Sequence, residues 1–357
     1  PENDRNYDGI PEWGHPMQTG FEEHPLFGGW HNWSRGLDIS TVHSPALMAM
    51  LYREAKSLME MAEILGNRTD TTTLKNQADL LMKRTQKCWD TRLAGFRYRD
   101  RDSGLTQRGK ILASQRGSGT IKLKESFAKP VRLLVEVASK NHTSLRPIVI
   151  ISGYVTKIGD GETLGQLDFQ LRNDGAVATS HKVYERISSV IVEGVEEQDK
   201  VTIRTVDLTL EDQSHLLPLW AEMMNAQQAQ ALIGRTLLNA ERFDRPFGIP
   251  ACPSIPHKDA EAICQSVHLP WNQWVLEGLL AYGFRSDATR LFVHLMAGVQ
   301  QNLKHNHAFY QSYNAEIGTG IGERNAVTGL APVGLFLKLL GVQIYSDTRI
   351  RLEGQNP

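Results

Sequence analysis

The chain has 357 residues, and its 39 Lys and Arg against 40 Asp and Glu leave a formal net charge of -1. Apolar residues make up 41% and charged residues 22%, an ordinary globular composition that excludes collagen-like, disordered and disulfide-framework classes. The balanced charge, without a basic run, excludes a nucleic-acid footprint, and no apolar run of about 18 residues is present to span a membrane.

The first forty residues are loop-like, rich in Gly, Pro, His and Trp. A helix follows. Ser44 is placed to cap it, Pro45 takes its first position, and Leu47, Leu51, Ala55, Leu58, Ala62 and Leu65 mark one face before Gly66 closes it. A second helix carries Leu74, Ala78, Leu81 and Cys88 on one face, and a turn and short strand are predicted over 89–98. From about residue 103 the period becomes that of strands. Alternating or continuous apolar runs near 121–124, 131–137, 147–151, 167–171, 183–192 and 201–206 are separated by Gly and Asp turns. About seven strands in a hundred residues without a helix predict a β-sandwich or barrel.

Helices resume after Leu208, over 216–224, 226–238, 271–282, 287–303 and 326–340, with an extended Pro-rich loop at 246–256. The predicted fold is therefore mainly α. A helical domain, residues 1–102 and 208–357, is interrupted by an all-β, sandwich-like domain at 103–207. Cys88, Cys252 and Cys264 form no close metal-ligand pair and leave one thiol over from any single disulfide. They read as reduced, packed thiols, which with the absence of a visible signal peptide implies a cytoplasmic protein. The chain opens without Met, so a preceding N-terminal segment is expected, or else an oligomer partner.

Four segments carry candidate chemistry. In the first, Asp4, Asn6 and Asp8 place oxygen side chains at alternate positions before Gly9, with the carbonyl of Ile10 and the carboxylate of Glu12 following. This resembles the start of a calcium loop. The bidentate Glu such a loop would carry later is replaced by His15, so an Asx-rich turn without metal is the alternative. In the second, Glu22, Glu23, Trp30, Trp33, Arg35 and Asp38 crowd into one loop region. Aromatic faces pack on the C–H faces of sugars, carboxylates and Arg bind hydroxyls, and a carboxylic acid among aromatics is suited to general acid work. The third runs from Val267, His268 and Trp271 to Glu277-Gly278 and Tyr282-Gly283. The fourth, from Phe309 to Gly322, contains Gln311, Tyr313, Asn314 and Glu316. Its glycines fit neither a phosphate loop nor a dinucleotide turn, and a loop between two helices is predicted.

Taken in this order, the segments resemble the helical-barrel glycosidases of families 37 and 63, which include trehalases and mannosylglycerate or glucosylglycerate hydrolase-like enzymes. Thr19–Pro25, Trp33–Asp38, Val267–Asn272 and Tyr313–Gly318 carry the likeness, and Asp4–Glu12 is similar to a structural calcium loop in some members. The resemblance implies an (α/α)6 toroid and inverting hydrolysis of an α-glycoside. In it Asp38 is the general acid, Glu22, Glu23, Trp30, Trp33, Arg35, His268, Trp271 and Tyr313 bind substrate, and Ca2+ is structural. In such enzymes the acid and base carboxyls stand roughly 6.5–9.5 Å apart.

The sequence departs from the pattern where it matters most. The base position is Gln311, and an amide accepts no proton. Glu316 is the preferred substitute, with Glu22, Glu23 and Glu323 as alternatives. A phosphorolytic enzyme, in which phosphate replaces water, needs no protein base. A sugar-binding protein without turnover is the third reading. The helices are also fewer than a complete toroid needs, so this chain is expected to lack its first helices or to be one part of an assembly.

Overall fold

The computed structural model describes residues 3–21, 24–28, 31, 33–140, 145–155, 158–346 and 348–352. Helix accounts for 36% of it and strand for 28%, so the fold contains both α and β structure, with the long strands lying between residues 111 and 205. The chain divides into two compact units, Pro1–Ser44 with Arg97–Leu210, and Pro45–Phe96 with Glu211–Pro357. The first 44 residues therefore cluster with the strands, whereas their loop-like sequence groups them with the helices that follow.

In the first unit seven strands form one antiparallel sheet: β1 (Ile111–Arg116), β2 (Gly119–Ala138), β3 (Ile148–Val155), β4 (Ile158–Leu164), β5 (Gln170–Arg172), β6 (Gly175–Glu193) and β7 (Lys200–Thr205). Their order is β1-β7-β2-β6-β3-β4, with β5 on β6. The strands expected to make a sandwich or barrel form one continuous sheet built on the two long strands. β2 and β6 pair along their lengths, with register shifts at Thr179/Val183, Tyr184/Arg186 and Ile187/Ser189. Such bulges bend a strand and increase its twist. The two ends of the long strands then serve different neighbours. β7 pairs with 133–138 of β2, and β3 pairs with 186–193 of β6. Leu133, Val135 and Val137 from one end share a core cluster with Ile187, Val190, Val192, Val149 and Ile151 from the other.

Alternation along the strands builds a second layer. Leu134 and Val177 point to the opposite face, into a cluster with Leu26, Phe27, Leu37, Ile39, Val42 and Tyr98. The N-terminal loop segment is thus held against the sheet by its own apolar residues. A charged knot ties it further. The guanidinium of Arg132, fully buried, donates to the carboxylates of Asp100 and Asp102, and its Nη1 donates to the carbonyls of Ser180 and His181, 2.8 Å each. Those carbonyls are free to accept because the bulge at 179–183 lifts them out of the ladder.

In the second unit, α1 (Pro45–Ile64) and α2 (Arg68–Lys87) form a helical hairpin. Gly66 turns between them at φ +71°, the left-handed geometry that glycine adopts without strain. Of the predicted α1 face, Leu47, Ala55 and Ala62 are buried, while Leu58 and Leu65 are exposed. The predicted strand near 89–98 is a hairpin of Trp89–Asp90 with Gly95–Phe96. Farther on are α3 (Ala226–Leu232), α4 (Leu269–Ala281), α5 (Arg285–Asn306) and α6 (Val333–Leu339). The segment 216–224 is helical only over Leu217–Trp220, and α3 runs into a π-turn at Ile233–Leu237. Tilted and edge-to-face aromatic contacts join these pieces. Trp220, Trp274 and Trp271 pack in sequence at 5.2 and 5.5 Å, and Arg53 of α1 lies 4.5 Å over Trp220 while donating to its carbonyl at 2.7 Å.

Candidate active site

Asp38 sits at the start of a short helical turn, Ile39–Thr41, where its carboxylate is the cap. One oxygen accepts from the Ser40 N–H and the other from the Ser40 hydroxyl, both at 2.9 Å. Its own N–H donates to Thr179 Oγ1 of β6 at 2.9 Å. The local turn thus orients the side chain, and the sheet fixes the backbone. The approach depends on Gly36. Its φ of +65° suits glycine, and a Cβ there would come within 1.9 Å of Arg172 Nη2 and 2.6 Å of Val177. Asp38 lines a cavity of about 530 Å3 with Gly14, His15, Pro16, Met17, Phe27, Ile39, Phe169, Gln170 and Leu171. That is the size and character of a small-molecule site, largely apolar with a few polar groups.

The other residues of the acidic loop are placed as follows. Trp33 is partly exposed and stacks on His31 at 4.8 Å and 10°. Arg35 is partly exposed, and its N–H donates to the Pro25 carbonyl at 2.9 Å. Glu22, Glu23 and Trp30 lie outside the described residues. Their neighbour His24 is buried, packed between Phe21 and Phe27, with Nε2 3.3 Å from the Tyr98 hydroxyl.

The calcium-like loop folds as a set of Asx turns. Asp4 accepts from the N–H groups of Asp8 and Gly9, Asn6 accepts from Asp8, and Asp8 accepts from Ile10, at 2.9–3.3 Å. Glu12 is buried. One of its oxygens accepts from the Arg5 N–H, and the other has no hydrogen-bond partner but lies 3.5 Å from His43 Nε2. His43 also lies 3.7 Å from Asp8. The donors are all oxygen, which suits calcium. As folded they face backbone N–H groups and an imidazole, and no group of three His, Cys, Asp or Glu is gathered as a metal cage among the described residues.

In the second unit, Phe309–Gly322 is not the expected loop. It forms strands β9 (Tyr310–Asn314) and the start of β10 (Gly320–Arg324), with β8 (Ser266–Val267) on the other side of β9. Gln311 is exposed, and its Oε1 accepts from the Glu323 N–H at 3.4 Å. Glu316, in the turn, pairs with Arg245 at 3.3 Å. Tyr313 is buried, and its hydroxyl donates to the Gly329 carbonyl at 3.1 Å. Trp271 is buried at the start of α4, edge-on to Trp274. His268, just before α4, has Nε2 2.8 Å from the Ser266 hydroxyl, and burial pushes its pKa down to about 4. Asn272 is buried. Its carboxamide accepts from the Ile249 N–H at 2.8 Å and donates to the Ile249 carbonyl at 3.0 Å, pinning the Pro-rich segment to α4.

The sequence reading missed the sheet's share of the Asp38 cavity, namely Phe169, Gln170, Leu171 and the support from Thr179. Of the strand expected over 167–171, the structure has a helical turn at Gln166–Asp168 and a strand at Gln170–Arg172, and no spacing links either to Asp38.

Residues 2–116 match a family model described as the mannosylglycerate hydrolase MGH1-like glycoside hydrolase domain. Among solved structures the chain is similar to a GH63 mannosylglycerate hydrolase from Thermus thermophilus. In its complex with glucose the identity is 14% and the TM-score 0.54, over 94% of this chain and 64% of that one. In its complex with Tris the identity is 13% and the TM-score 0.55, over 94% and 66%. No curated protein matches the chain. The likeness to helical-barrel glycosidases thus stands on the first third of the sequence and on the fold, and the chain spans about two-thirds of the length of these structures.

Proposed function

We propose that this chain hydrolyses an α-glycosidic bond of a carbohydrate or small glycoside with inversion, and that Asp38 is its general acid. One observation carries the reading: Asp38, which falls within the residues that match a glycoside hydrolase domain, lines a small, mostly apolar cavity. In this reading the helices are part of an (α/α)6 toroid, and residues 103–207 are an inserted β-domain. Trp33, Arg35, His268, Trp271 and Tyr313, with Glu22, Glu23 and Trp30, act as substrate contacts or their supports. A calcium ion held by Asp4, Asn6, Asp8, Glu12 and the Ile10 carbonyl would be structural.

In the proposed step the Asp38 carboxylic acid gives its proton to the glycosidic oxygen as the bond to the anomeric carbon breaks. Water attacks the opposite face of that carbon and gives its proton to a second carboxylate. Gln311 can orient this water but takes no proton, so the proposed base is Glu316, with Glu22, Glu23 or Glu323 in its place if Glu316 stays paired to Arg245. The amide at Gln311 favours two further readings, phosphorolysis and sugar binding without turnover.

The test follows the first-formed anomer by NMR while α-glycosides are supplied with and without phosphate. A β-anomer from water, lost in Asp38→Asn, supports the proposal. A sugar phosphate supports phosphorolysis, and saturable binding without turnover supports the binding protein. Full turnover in Asp38→Asn overturns the assignment of the acid.

A further inference from the structure

We infer that the cavity beside Asp38 receives an apolar group, the alkyl or aryl part of a glycoside's aglycone; the inference rests on the reading of Asp38 as the acid that frees that aglycone. Apart from Asp38, His15 and Gln170, the side chains of the described lining are apolar. The polar atoms of the wall are largely engaged with one another. The N–H groups of Gly14 and His15 donate to Gln18 Oε1 at 2.8 and 3.1 Å, and the His15 carbonyl accepts from the Gln18 N–H at 3.1 Å. The Pro16 carbonyl accepts from the Thr19 hydroxyl at 2.7 Å, and the Met17 carbonyl from the Gly20 N–H at 3.2 Å. The Met17 N–H donates to His15 Nδ1 at 3.2 Å. On the sheet, the backbone of Gln170 is paired with Val177 and its Oε1 is closed to solvent. Both Asp38 oxygens accept from Ser40.

A hydroxyl-rich ring entering such a wall would give up its bonds to water and regain few of them. An apolar group gives up none and gains burial. Phe27, Ile39 and Phe169 are buried, whereas Met17 and Leu171 stay 58% and 52% exposed, so the apolar lining runs from the core out to open surface. Large apolar side chains left in water at a cavity are a cost that an apolar occupant removes. The glycosidic oxygen must reach Asp38, the carboxylate of this described lining. Of the two groups that this oxygen joins, only the aglycone can be apolar. The aglycone therefore fills the cavity, and the sugar ring lies outside it.

p-Cresol serves as the apolar probe and D-glucose as the hydroxyl-rich one, each titrated into the whole chain labelled with 13C at the methionine methyls. The Met17 methyl, assigned by its loss in Met17→Leu, reports the cavity without altering it. p-Cresol should shift this signal saturably, and glucose should act on it at least tenfold more weakly. Leu171→Ser, at a half-exposed position that tolerates a polar side chain, should weaken p-cresol about tenfold. The inference is overturned if p-cresol leaves the Met17 methyl unmoved, if glucose matches it there, or if Leu171→Ser binds p-cresol as the parent does. Turnover is scored separately, on the n-hexyl and methyl α-glycosides of the same sugar, whose alcohols are similar leaving groups. Here kcat/KM should favour the hexyl glycoside about tenfold, and Leu171→Ser should erase the preference. Binding of p-cresol at Met17 without turnover of any α-glycoside leaves the cavity's apolar specificity standing while the hydrolase reading fails. Turnover that is lost in Asp38→Asn but indifferent to the aglycone does the reverse.

Discussion

At the scale of single residues, Asp38 shows how one side chain serves both structure and proposed chemistry. It caps a turn through Ser40 and faces a cavity. Asp38→Asn keeps the acceptor oxygen that caps the turn, so folding should survive while hydrolysis falls about 10²–10⁴-fold. Circular dichroism and initial rates on a glycoside with a poor leaving group check both halves. The loop at Asp4–Glu12 makes a second residue-scale prediction. If calcium is held there, a concentration a hundred times Kd adds about 2.7 kcal/mol, and chelator should lower the melting temperature by several degrees. A melting curve indifferent to both additions leaves the loop as the hydrogen-bonded Asx turns described above.

At the scale of elements, the junction of β8 with α4 carries a pH dependence. His268 takes the cap position of α4 without a side-chain capping bond and is held neutral, with a pKa of about 4 against an ordinary 6.5. The unfolded chain therefore binds more protons than the folded one between these values. Stability conferred by the neutral imidazole is present above about pH 6.5 and is lost as pH falls towards 4. Its upper limit is about 3 kcal/mol, at 1.36 kcal/mol per pKa unit. Thermal melts of His268→Gln should show a flatter decline over that interval than the parent. Equal slopes would mean the imidazole is not held neutral.

At the scale of the whole molecule, the first unit is organised around a buried charge. Arg132 joins β2 to the bulge of β6 and to the turn bearing Asp100 and Asp102. Burial alone would lower its pKa, but the two carboxylates raise it, so the cation persists at every working pH. Arg132→Met would leave the buried Asp100 without its partner, which costs about 3–5 kcal/mol. A urea melt of the whole chain should show this as a loss confined to the transition that reports the sheet. An unchanged melt would show that the knot contributes nothing net.

Read without coordinates, the sequence determines the helices α1 and α2, the belt of strands from 111 to 205 and the helices α4 and α5. Each rests on local periodicity and on turn residues, which act within a few positions. It also determines that Gln311 cannot be a base, because a carboxamide is too weakly basic to take a proton from water. Only the tertiary structure decided that the strands make one bent sheet, since bulges in β2 and β6 depend on partners up to about seventy positions away. It alone turned Phe309–Gly322 from a loop into strands, because the ladder to β8 satisfies backbone groups that no local pattern announces. It alone brought Gln170 into the wall of the cavity that Asp38 lines, through packing of the N-terminal segment on the sheet, and neither spacing nor composition encodes that placement.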